Sequence, residues 1–166
     1  MTHLERIADK KQKLNLSVGK TLEVVIYPGH QMSSTDVNVA LVNTTEGVTV
    51  AHLGDQMNEG KFMIDFAWID NVAKNHSVDI MIPNCGTSDI ARIVKGFNPV
   101  VVLPGHELEL GDPAWNRFPF WGDDEYLGLN YSQLKKSKYP VIALVWCESY
   151  HYFPKPDKVK SIDKTK

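Results

Sequence analysis

The alternation of apolar and polar residues divides the chain into short strands that end in sharp turns. Residues 2–13 are polar with a thin apolar set (Leu4, Ile7, Ala8), which predicts a short helix or a frayed arm. A strand is expected over 22–27, where Val24, Val25 and Ile26 are β-branched, and Pro28 and Gly29 end it. A hairpin follows, with strands over 37–42 and 48–52 around a turn at 43–47. Over 62–76 the period changes: Phe62, Phe66, Ile69, Val72 and Ala73 fall at helical spacing. A short buried strand is expected over 78–82, ended by Pro83. A second helix over 89–95 follows, capped by Thr87 or Ser88, with Gly96 just past its end. Residues 99–103 form another apolar strand, closed by Pro104 and Gly105.

Strand, helix, strand, helix, strand is an α/β layout. The runs at 78–82 and 99–103 are nearly unbroken apolar, so both faces of their sheet are expected to be covered. Residues 107–137 are less regular. Trp115, Phe118, Phe120 and Trp121 make this stretch too aromatic for a solvent loop, so it is expected to fold over the mouth of a site or pack on a neighbour. A helix is expected within 123–136, a last strand over 141–146 and a polar tail over 154–166.

Composition narrows the class. At 166 residues and 43% hydrophobic content the chain suits one domain with a real core. A net charge of -2, with lysines scattered at both ends, argues against a nucleic-acid surface. No run has membrane-spanning length and the first residues lack the apolar region of a signal peptide. Cys85 and Cys147 lie in apolar segments and read as free thiols. Together these features predict a cytoplasmic protein without a membrane or nucleic-acid partner.

The candidate chemistry sits where three apolar runs stop. The first stops at His30, the second at Asp55, the third at His106. Strand ends that deliver His, Asp and His to one place build a metal site on a rigid sheet. His52, three residues before Asp55, is expected to be structural because strand residues alternate faces. His151 is read as packing near the site, and His3 and His76 as solvent-exposed. Glu107 and Glu109 are read as solvated acids, and Cys85 as an inert thiol.

Two stretches, HQMSSTDVNVALVNTTEGVTVAHLGDQ and VDIMIPNCGTSDIARIVKGFNPVVVLPGHE, resemble the C-terminal half of the metallo-β-lactamase fold. They are most similar to metal-dependent hydrolases of the ascorbate-phosphate lactonase-like subgroup. The resemblance covers roughly residues 18–107. It implies half of an αββα sandwich, a mixed β-sheet with helices on its outer face. Residues 1–17 would be an N-terminal arm or short helix, 18–153 the half-domain and 154–166 the tail. It also implies that His30, Asp55 and His106 are metal ligands, with Asp55 the bridging, catalytic carboxylate. The metal would be zinc, with manganese or iron as alternatives for a His/carboxylate set. The family's first motif, His-x-His-x-Asp-His, is absent from this sequence.

The expected function is therefore metal-assisted hydrolysis of a small-molecule ester, lactone, amide or phosphoester, incomplete in this chain alone. A second copy, or a chain supplying the missing half, is the expected partner. The alternative is a non-catalytic half-domain that dimerises or binds a partner, because a half-sandwich leaves an apolar sheet face uncovered. No Gly-rich phosphate loop is present.

Overall fold

Six strands form one mixed sheet whose spatial order follows the sequence. The computed structural model describes residues 3–16, 19–31, 35–57, 64–84, 87, 89–105, 133–134, 136–144 and 148–154. Strands β1 (Gln12–Asn15), β2 (Thr21–Gln31), β3 (Thr35–Asn43) and β4 (Thr49–His52) pair with one another antiparallel, in that order. Strands β5 (Ile80–Ile82) and β6 (Val101–Val102) add parallel to β4. Parallel neighbours need crossovers. Helices α1 (Phe66–Ile69) and α2 (Val72–Asn75) lie in the first, and α3 (Ile90–Phe97) lies in the second. The chain is thus an α/β fold with short helices.

Register shows how the two faces differ. Val25, Leu41, Ala51, Met81 and Val102 are consecutive cross-strand partners and form one buried row. Tyr27, Val39 and Leu53 extend that face, and the buried residues of all three helices pack onto it in one core. The next register position gives a second row on the opposite face: Val24, Val42, Val50, Ile80 and Val101. Ile26, Ala40 and Ile82 continue it, with His52 in the same row. Both faces are therefore apolar, and the helices cover one of them. Among the described residues no helix is long and apolar enough to cross a membrane.

Several elements differ from the sequence expectation. The N-terminal segment is extended rather than helical. Arg6 bridges Ile26, and 12–15 form β1, with Gln12 and Leu14 half-buried while Lys13 and Asn15 are exposed. Strand β2 runs through Pro28 and Gly29 to Gln31. Proline is tolerated because β1 pairs with β2 only as far as Val24, so Pro28 faces a strand on one side alone. The single helix expected over 62–76 is two one-turn pieces broken at Asp70 and Asn71, and Ala73 is exposed. Such short helices do not persist alone. Buried Phe66, Ile69 and Val72, at about 1.5–3 kcal/mol each, hold them to the sheet.

Helix α3 continues past its expected end. Gly96 lies inside it, where a Cβ would come within 2.5 Å of the Ile69 carbonyl oxygen. Its role is close approach to α1, and the left-handed position after the helix belongs to Asn98 (φ 47°). No side-chain cap bond is made at the helix start, where Asp89 is the N-cap. The strand expected over 141–146 begins as a single bridge from Val141 to Val102, with Ile142 N–H donating to Val102 O at 3.0 Å. The aromatic stretch 115–121, most of the helix expected within 123–136, and the tail beyond Pro154 lie outside the described residues.

Candidate functional site

Strand direction decides which residues share an end of the sheet. Because β2, β4, β5 and β6 run the same way, their C-terminal ends lie together. His30 is near the end of β2. Asp55 is in the turn after β4, Asn84 follows β5, and Gly105 follows β6 with a parallel bridge to Asn84. His106 comes next in sequence and lies outside the described residues, as do Glu107, Glu109, Cys85 and Cys147.

The loop carrying Asp55 is tied to His30 through the backbone. Met57 N–H donates to His30 O at 3.0 Å, and His30 N–H donates to Gln56 Oε1 at 2.8 Å. Gly54 (φ 53°) makes the turn that brings the loop round. Gln56 is fully buried. Gly29 makes room for it: a Cβ there would overlap Gln56 Oε1 and lie 2.8 Å from Val39 Cγ2.

The His30 ring is held by a carboxylate that the sequence reading did not single out. Asp65 precedes α1 and is 2% exposed. It makes no side-chain cap bond to its own helix. Its oxygens lie 2.9 and 3.0 Å from His30 Nδ1. Gln56 Nε2 donates to Asp65 Oδ2 at 2.8 Å, and Trp68 Nε1 donates to Oδ1 at 3.1 Å. Trp68 is fixed in turn, stacked on Tyr27 at 4.6 Å between centroids and meeting Phe97 edge-on at 6.2 Å.

The other ring nitrogen, Nε2, lies 3.4 Å from Oδ1 of Asp36, its cross-strand partner on β3. Asp36 is exposed, and its Oδ2 receives Arg6 at 3.1 Å. The same guanidinium donates to the carbonyls of Gly29 and Val37, so the N-terminal arm is fastened beside the site.

Of the described residues, His30 and the loop carrying Asp55 share this end of the sheet, and an imidazole and a carboxylate are donor types that divalent cations take. Among the described residues no three His, Cys, Asp or Glu side chains form a complete metal group. His52 is exposed on the opposite sheet face, and its Nδ1 accepts from Gly54 N–H at 3.1 Å. His3 is exposed, and His151, expected to pack near the site, is exposed as well. His76 corrects the expectation: its side chain is 6% exposed, lies 3.2 Å from Asp9, and meets Tyr27 edge-on.

Two other polar clusters each include a fully buried side chain, Tyr27 in one and Asp79 in the other. Tyr27 donates to Asp9 at 2.6 Å, and burial followed by the Asp9 bond pushes the phenol far up. Asp79, fully buried at the opposite end of the sheet, accepts from Thr49 N–H at 2.9 Å and Tyr152 OH at 2.8 Å.

Sequence reasoning missed Asp65, Gln56 and Trp68. A carboxylate before a helix reads as a cap, and a Gln after Asp55 carries no signal by itself. The usable clue was chemical: a ligand imidazole needs an acceptor for its second nitrogen. No protein-family model matches the chain, and no curated protein matches it.

Proposed function

We propose that the chain carries part of a hydrolytic metal centre of the metallo-β-lactamase type, with His30, Asp55 and His106 as ligands. Zinc is the metal proposed, and manganese or iron also suits this donor set. The observation that carries the reading is the pair of bonds from the His30 backbone to the loop of Asp55, one to Met57 N–H and one to the Gln56 side chain, at the end of the sheet where the co-directed strands terminate. Bound there, a divalent metal would act as a Lewis acid and lower the pKa of a coordinated water. The chain's own part is to hold the donors rigidly: Asp65 on His30, Gln56 on both, and the β2–β3 pairing beneath them. The substrate class proposed is a small ester, lactone, amide or phosphoester. Donors of the first motif are not among these 166 residues and would have to be brought to the site from outside them.

Elemental analysis of protein purified without chelator, with mass by light scattering on the same sample, tests this. About one metal per chain, lost in Asp55→Ala, is the expected result. Unchanged metal stoichiometry in Asp55→Ala would remove Asp55 from the site.

A second reading has its own observation. The row Val24, Val42, Val50, Ile80 and Val101 makes the face opposite the helices apolar. That favours a non-catalytic half-domain which dimerises or binds a partner. A metal-free, stable dimer would select it over the hydrolase reading.

A further inference from the structure

We infer that Asp65 is a positioning residue that locks His30 as the Nδ1–H tautomer, so that Nε2 is the single nitrogen available to a ligand. The inference rests on the metal-centre reading for its purpose, and on hydrogen-bond geometry alone for its content.

His30, Gln56, Trp68 and Asp65 fix one another's hydrogen-bonding roles. The backbone N–H of His30 can only donate, and it points at the Gln56 side-chain amide at 2.8 Å. The oxygen of that amide must therefore face His30, which turns its NH2 toward Asp65 Oδ2 at 2.8 Å. Indole N–H also only donates, so Trp68 supplies a second donor, to Oδ1 at 3.1 Å. The Asp65 carboxylate already serves two donors, one on each oxygen. His30 Nδ1 sits between those same two oxygens at 2.9 and 3.0 Å. A carboxylate accepts only, so Nδ1 carries the hydrogen. In the neutral ring Nε2 is then the bare nitrogen.

Burial makes the lock strong. The Asp65 side chain is 3% exposed, so water does not compete for its oxygens. Trp68 is held between Tyr27 and Phe97, and Gln56 fills the space that Gly29 leaves, so neither donor can swing away cheaply. Nε2, by contrast, lies 3.4 Å from the exposed Asp36 carboxylate, which also receives Arg6. One nitrogen is fixed inside the fold and the other is offered at its rim. That asymmetry is what a metal-binding imidazole requires.

The test is the tautomer itself, read from two-bond proton–nitrogen correlations of the assigned His30 ring, in buffer well above the ordinary histidine pKa. The full chain is used without metal. The expected spectrum is that of the Nδ1–H form. Asp65→Asn must turn its own NH2 toward Trp68, Gln56 or His30, and is expected to lose the fixed tautomer. Asp36→Asn should leave it in place. Titration with zinc alone is expected to show affinity reduced by about 10–100-fold in Asp65→Asn. An Nε2–H spectrum for the unaltered protein would overturn the inference even if Asp65→Asn failed to fold. A tautomer that survives Asp65→Asn, or that changes in Asp36→Asn, would overturn it as well. Absence of zinc binding with the Nδ1–H form in place would sink the metal-centre reading and leave the positioning by Asp65 standing.

Discussion

Replacing Gly29 with alanine sets two opposed effects against each other, and their sizes differ enough to predict the sign. Gly29 has no left-handed backbone, so alanine can adopt its conformation. That gives a gain of about 0.4–1 kcal/mol from a less flexible unfolded chain. Against it, the new Cβ would lie 2.8 Å from Val39 Cγ2 and 3.2 Å from Val37 Cγ2. Overpacking of that kind costs about 1–3 kcal/mol. The Cβ would also overlap Gln56 Oε1. Gln56 can retreat only by giving up His30 N–H and Asp65, and each buried group left unsatisfied costs about 1–3 kcal/mol. The net expectation is a loss of at least about 2 kcal/mol. For a chain of this length that lowers Tm by on the order of 10 °C. Thermal melts followed by circular dichroism give the first answer, and an equal or higher Tm would refute the reasoning. A double-mutant cycle with Gln56→Ala gives the second. If Gln56 is the obstacle, the double variant is less damaged than the two single losses added together, by about 1 kcal/mol or more. Strict additivity would place the cost elsewhere.

Two further predictions concern pH. Burial alone would raise the Asp9 carboxyl, but bonds from Tyr27, Asn75 and His76 outweigh it and hold the group below its ordinary value of 3.8. Its stabilising effect is thus present above that value and is lost as pH falls through the lower folded one. Asp9→Asn should flatten the acid limb of the urea midpoint against pH, and an unaltered limb would contradict this. Burial, then the bond to Asp79 and its charge, pushes the Tyr152 phenol up to about 12. Its contribution is complete below the ordinary value of 10.0 and is lost as pH rises toward about 12. Tyr152→Phe should remove one late-ionising phenol from an ultraviolet titration and cost about 1–2 kcal/mol at neutral pH. An identical titration curve would dissociate Tyr152 from Asp79.

The legible part of the sequence was the part with a short-range cause. The β-branched run Val24, Val25 and Ile26, the turn ending in Gly47 (φ 79°), and the spacing of buried Phe66, Ile69 and Val72 all act within a few residues. Local signals of this kind located β2 to β5 and α3 to within a few positions, although Pro28 and Gly29, read as the end of β2, lie inside it. What stayed hidden depends on partners distant in sequence. Strand β1 exists because β2 offers it an edge, and Gly96 reads as a helix stop until Ile69 is seen beneath it. His76 looked solvated because nothing local shows that Asp9 reaches it. The candidate site divides along the same line. Asp55 was visible as a turn residue closing an apolar run, whereas His30, singled out for the same reason, lies inside β2 opposite Asp36. Asp65 is linked to His30 across a separation of 35 residues, so no periodicity could reveal it.

The same separation explains how a sheet apolar on both faces keeps its register. A slip by one residue exchanges the two faces of a strand. In a sheet with one polar face, that exchange exposes the core and is strongly opposed. Here the rows led by Val25 and Val24 are both aliphatic, so hydrophobic burial discriminates weakly between them. The discrimination must come from positions that tolerate only one residue. Tyr27 is one, since its hydroxyl must reach Asp9 from a fully buried ring. Gly29 is another, since a slip would put Pro28 or His30 where even a single added carbon overlaps Gln56. Asp79 adds a third constraint by fastening the first residue of β4 through Thr49 N–H. Gly29 and Gln56 therefore act twice: they align β2 with β3, and through Asp65 they aim the ring of His30. A variant that loosens the register of β2 should lose the orientation of His30 in the same transition.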